Sequence, residues 1–132
     1  MGSIEYEVEL TDEERSVQEM VHRFAEEVLR PAGAELDAMP DPQDVIAEGS
    51  VLWEVFDKHR ALGLDQFTDP GGDLTPRQQA RIRCIISEEL GWGDSGLAIG
   101  FGVAGFPRMM AQMTGKPELI ERFSADDCIG CW

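Results

Sequence analysis

The run Leu10-Thr11-Asp12-Glu13-Glu14 constrains this chain more than any other, because it is a helix start that the following residues use at once. The Thr11 hydroxyl is placed to accept from the amide of Glu14 while the Glu14 carboxylate returns to the amide of Thr11, a reciprocal capping box. Val17, Met20, Val21, Phe24, Val28 and Leu29 then recur at helical spacing on one stripe, and Glu19, Arg23, Glu26 and Glu27 take the other face. Pro31 is expected to interrupt this helix, and Ala32 to Met39 to resume as a short second one. Pro40-Asp41-Pro42 ends it, since neither proline donates an amide and each disfavours helix in the residue before it.

The same grammar repeats down the chain. Ser50 caps a third helix with Leu52, Trp53, Val55, Phe56 and Leu62 on its inner side and Gly63 at its close. After the turn cluster from Thr68 to Asp73, Thr75-Pro76 supplies a cap with proline at the first helical position. The helix from Pro76 to about Gly91 is expected to bury Ala80, Ile82, Ile85, Ile86 and Leu90. A fifth runs from about Ser95 to Phe106 and breaks near Pro107; Lys116-Pro117-Glu118 opens a last short one carrying Leu119, Ile120 and Phe123. Cys128-Ile129-Gly130-Cys131-Trp132 reads as the first residues of a buried strand, so the sequence is expected to be the front part of a larger protein. The predicted fold is all-α, an up-down bundle of about five to six helices with the start of one β-strand at the C-terminus.

The net charge of −15 lies almost entirely in the first half, where Met1 to Asp73 carries 19 acidic against 5 basic side chains. Such a surface repels phosphate backbones and anionic headgroups, so neither nucleic acid nor a membrane surface is expected as a partner. The longest apolar stretch, Gly96 to Pro107, is about 12 residues, short of the roughly 20 needed to span a bilayer. Three cysteines and a start without basic or apolar leader regions read as free thiols in a cytoplasmic protein.

Candidate chemistry is sparse. Cys128 and Cys131 lack the second ligand pair that a zinc site requires, and no metal is expected. His22 and His59 stand far apart among charged residues and read as surface or boundary positions. Glu88 and Glu89 cannot face each other on a helix, so they are no acid/base pair; one is expected to bridge helices and the other to face water. No nucleophile triad or phosphate loop is present, and no catalytic residue is assigned. The fifth helix is more pointed: Gly96, Gly100, Gly102 and Gly105 interrupt an apolar run, each at a cost of about 1 kcal/mol relative to alanine. Close helix packing and space for an elongated apolar ligand are the two readings of that pattern.

The order of these segments resembles the opening of acyl-CoA dehydrogenases. The resemblance rests on Leu10-Thr11-Asp12-Glu13-Glu14 into Ala25-Glu26-Glu27-Val28-Leu29-Arg30-Pro31, on Leu52-Trp53 to Leu62-Gly63-Leu64, and on Pro70-Gly71-Gly72. It continues through Ser87-Glu88-Glu89-Leu90-Gly91, Gly93-Asp94-Ser95-Gly96-Leu97-Ala98 and the segment from Thr114 to Phe123. The resemblance implies a helical N-terminal domain over 1–126 and the start of a middle β domain over 127–132. It further implies an FAD enzyme that desaturates acyl-CoA between its α and β carbons and passes electrons to an electron-transfer flavoprotein or another acceptor, commonly as a homo-oligomer. Trp132 matches an aromatic position near the flavin, while Ala98, Ile99, Gly102 and Phe106 match the wall of the acyl-chain pocket. The catalytic glutamate of the family belongs to a later domain, so this chain alone is expected to be inactive. A related flavoenzyme of acyl-CoA oxidase, flavin monooxygenase or nitroalkane-oxidising type, and a stand-alone helical interaction module, are the alternative readings.

Overall fold

The computed structural model describes residues 9–67 and 72–124. In chain order these form α1 (Asp12–Phe24), a π-helical segment (Ala25–Leu29), α2 (Arg30–Asp37), α3 (Pro42–Val45), α4 (Val51–Ala61) and a 3-10 turn (Leu64–Phe67). Then follow α5 (Pro76–Gly93), α6 (Ser95–Ala104), α7 (Phe106–Thr114) and α8 (Pro117–Ser124). The fold is all-α, with no strand among the described residues. The strand start expected at Cys128 to Trp132, and the 127–132 boundary with it, lie outside them.

The expected capping box at Thr11 forms, and a second one is present at Thr75. Glu14 N–H donates to Thr11 Oγ1 at 3.2 Å and Thr11 N–H to Glu14 Oε2 at 2.9 Å. At the head of α5, Gln78 N–H donates to Thr75 Oγ1 at 3.4 Å and Thr75 N–H to Gln78 Oε1 at 3.0 Å. Each box satisfies two amides that a helix end otherwise leaves without partners. Pro31 does not break the first helix. The backbone widens ahead of it into one π turn, in which Arg30 N–H donates to Ala25 O, and helix continues as α2. A proline within a helix removes one ladder bond and crowds the turn before it; a π turn is a local widening that opens that turn.

The core is the stripe of the first helix laid against the other helices. Val17, Val21, Phe24, Ala25, Leu29 and Ala32 meet Val55 of α4, Leu64 of the 3-10 turn, Ile82, Ile86 and Leu90 of α5, and Leu97 of α6. α1 packs along α5, α2 on α4, and α7 on α8. Full burial of side chains such as Leu29 and Ile82 contributes about 1.5–3 kcal/mol each. Of the residues expected inside α5, Ala80 is exposed and Ile85 half-buried, while Glu89 is buried. The inner face therefore runs through Ile82, Ile86, Glu89 and Leu90, at the three-to-four residue spacing of a helix.

Glu14 and Arg81 tie the start of α1 to α5 as an ion pair. Arg81 Nε donates to Glu14 Oε1 at 2.6 Å, and Arg81 Nη2 donates to Glu14 Oε2 at 2.8 Å and to Glu9 O at 3.0 Å. The Glu14 side chain is thus both helix cap and strut. The Arg81 hydrogen bonds, with those from Thr11, hold its carboxyl down at about 2 against the usual 4.5.

Candidate functional site

The helix expected from about Ser95, broken near Pro107 and continued through Met109, Met110 and Met113, is two helices, α6 and α7, with the break at Gly105. Proline is tolerated in the first turn of a helix, so Pro107 sits inside the start of α7. The corner that launches α6 is fixed by small residues. Gly93 is so close to the π segment that a Cβ there would lie 2.8 Å from Ala25 Cβ and 3.1 Å from Leu29 Cβ. A Cβ on Gly33 would collide with the Asp94 carboxylate. That carboxylate is the N-cap of α6, accepting from Leu97 N–H at 2.8 Å.

Beyond this corner the sides of α6 diverge. Leu97 is buried in the core, and Ala98 and Phe101 pack against it. On the outside Ile99 is 66 % exposed, and a Cβ at Gly102 would meet nothing within 4 Å. Phe106 begins α7, half-buried. Of the four residues expected to form one face, Ile99 and Gly102 therefore share the open side, Ala98 turns toward the core, and Phe106 lies beyond the break. The apolar exposure continues along α7 through Met109, Met110 and Met113, the last 75 % exposed. α6 carries no charged side chain on any face, the character of a helix covered on all sides. Trp132, expected near a flavin, lies outside the described residues.

Both histidines make more specific contacts than the sequence suggested. His59 lies flat on Phe101, ring centroids 3.9 Å apart and planes inclined by 10°. Phe56 meets Phe101 edge-on at 4.9 Å, and Phe24 stands 6.2 Å from His59. Burial among these rings, with Arg60 adjacent, pushes the imidazole down to about 4. His22 Nδ1 lies 2.7 Å from Glu89 Oε2, and Gln18 Nε2 donates to Glu89 Oε1 at 2.9 Å. Glu89 is thus the bridging member of its pair and Glu88 the exposed one. The Trp92 ring contacts both His22, at 4.4 Å, and the Arg30 guanidinium, at 4.7 Å.

An open cleft of about 510 Å³ lies beside this network, edged by Glu19, Arg23, Glu26 and Glu27 as well as Gln18, His22 and Glu89. Both Glu89 oxygens are engaged within the fold, so the carboxylate acts as a strut between α1 and α5. Among the described residues no group of three His, Cys, Asp or Glu side chains is arranged to hold a metal ion, and no helix is long and apolar enough to cross a membrane.

Residues 11–126 match the family model for the acyl-CoA dehydrogenase N-terminal domain. The chain belongs to the acyl-CoA dehydrogenase family. No curated protein and no solved structure matches it. Within this acyl-CoA dehydrogenase domain, the matched span covers both networks and the whole α6 corner. The signal for the His22 network was present as Gln18 and His22, four residues apart on α1. Its partner Glu89 is 67 residues away from His22, beyond the reach of any local pattern.

Proposed function

We propose that this domain forms one wall of the acyl-chain pocket of an FAD-dependent acyl-CoA dehydrogenase, acting in fatty-acid or related acyl-CoA oxidation in the cytoplasm. The observation that carries the reading is the outer side of α6, where exposed Ile99 stands beside the open surface at Gly102 on a helix without charge, within a domain of that family. Bound FAD would supply the acceptor for the β hydride. The described residues contribute to the other half of the problem, which is to hold an acyl chain out of water and in register. Trp132 is our candidate for the flavin contact. An electron-transfer flavoprotein or another acceptor would take the electrons, and the full-length enzyme would be a homo-oligomer.

With no side chain at Gly102 the pocket floor is open there, and each further buried methylene of a substrate is worth about 0.8 kcal/mol, about fourfold in affinity. The protein carrying this domain should therefore prefer long or bulky acyl-CoA to butyryl-CoA. Gly102→Glu is the decisive variant. A Cβ there meets nothing within 4 Å, so the substituted side chain starts from open space and adds bulk and charge on the outer side of α6. Flavin reduction measured with a series from butyryl-CoA to palmitoyl-CoA should show the optimum moving to shorter chains; an unaltered profile would remove this face from the pocket.

A further inference from the structure

The position of α6 depends on how its two ends are held, and the two ends are held differently. Its start is clamped by the Asp94 cap against Gly33 and by Gly93 against Ala25 and Leu29. Two turns later, around Gly102, the outer side is open, and the inward side chain next to it is Phe101. Phe101 is gripped by rings from two other helices: His59 flat on its face at 3.9 Å, Phe56 on its edge at 4.9 Å, and Phe24 at 6.5 Å. Gly100 faces the same cluster: a Cβ there would lie 3.6 Å from Phe56 Cζ, ordinary contact distance. His59 is the one polar member of this ring cluster, and its contribution is a flat face that a flexible side chain of similar size would not reproduce.

We infer that His59 is a positioning residue: by stacking on Phe101 it sets where the C-terminal half of α6 stands, and so the depth of the acyl-chain wall at Ile99 and Gly102. This rests on the reading of α6 as a pocket wall, and adds a residue from α4 that touches no substrate. Gly102 follows Phe101 along the backbone, so a shift of α6 at Phe101 carries Gly102 with it.

The test compares His59→Gln, which removes the ring, with His59→Phe, which keeps a flat aromatic face. Amide hydrogen exchange followed by mass spectrometry should accelerate at least tenfold in His59→Gln over residues 99–104 and stay at the parental rate in α1 and α5; His59→Phe should restore it. In the protein carrying the domain, the palmitoyl-CoA to butyryl-CoA ratio of kcat/KM should change at least threefold in His59→Gln and return in His59→Phe. Unchanged exchange in α6, a uniform acceleration across α1 and α5, or failure of His59→Phe to rescue would each overturn the inference. So would a loosened α6 with an unaltered chain-length ratio, if Gly102→Glu does alter that ratio. If Gly102→Glu leaves the profile untouched while His59→Gln still loosens α6, the clamp stands and the pocket-wall reading falls. Should His59→Gln not fold, Phe101→Leu opens the same stack from the α6 side and is read by the same two measurements.

Discussion

Replacing Gly93 by alanine sets two effects of opposite sign against each other on one helix. Alanine is favoured over glycine by about 1 kcal/mol in a helix interior, and Gly91, two residues earlier in α5, has nothing within 4 Å of the Cβ it would gain. Gly91→Ala should therefore stabilise by up to about 1 kcal/mol. At Gly93 the new methyl would lie 2.8 Å from Ala25 Cβ and 3.0 Å from Ala25 Cα. The second of these is backbone, which cannot rotate away, so α5 and the π segment have to separate. Overpacking of this kind costs about 1–3 kcal/mol, and at the last residue of α5 the helix preference offsets little of it. A net loss of about 2 kcal/mol is expected, which for a chain of 132 residues lowers Tm by about 7 °C. Thermal and urea unfolding followed by far-UV circular dichroism on both variants would measure it. If Gly93→Ala proved as stable as Gly91→Ala, the close crossing of α5 over Ala25 would be wrong.

Acid should weaken the fold in two stages. His59 titrates at about 4 in the folded chain against 6.5 when free, so the unfolded state binds the extra proton first and stability falls as pH drops from about 6.5 to 4. Glu14 is held at about 2 against 4.5, so its contribution is complete above pH 4.5 and is lost as pH falls toward 2. Urea midpoints across pH 7 to 2 should show both stages, and His59→Gln should abolish only the upper one. Arg81→Gln should destabilise the chain at pH 7 and raise the Glu14 titration midpoint, read by carboxyl carbon NMR shifts; a midpoint still near 2 would mean that the Thr11 cap alone sustains the ionised carboxylate.

The starts of α1, α4 and α5 were legible in the sequence to the residue, because capping is local chemistry: Thr11, Ser50 and Thr75 each accept from an amide within the first turn. Gly63 closes α4 as expected, at a positive φ of 62°. Pro31 misled because the rule for proline concerns an α ladder, and this chain widens the ladder instead. Asp41 caps the single turn α3 within a Pro-Asp-Pro run that reads as a terminator. The site was legible only in part. That α6 is apolar and glycine-rich is visible in its composition, but which side faces out depends on Phe101 finding Phe24, Phe56 and His59. Those partners come from two helices far away in sequence, and periodicity carries no information about them. Ala98 and Ile99 are adjacent, so an alignment of positions cannot say which turns inward; the packing of Leu97 and Phe101 decides it.

The π turn makes residue number, rather than residue identity, the sensitive quantity between α1 and α2. Glu26 and Glu27 are exposed, and exchanging them for other helix formers should pass almost unnoticed. Removing either would return the segment to an ordinary α ladder and rotate everything after it by about 100° relative to α1. Ala32 would swing out of the core, and Gly33 away from the Asp94 carboxylate that caps α6. In a lineage of such domains this stretch should therefore be permissive to substitution and closed to single-residue indels, the opposite of what an acidic, solvent-facing dipeptide would suggest on its own.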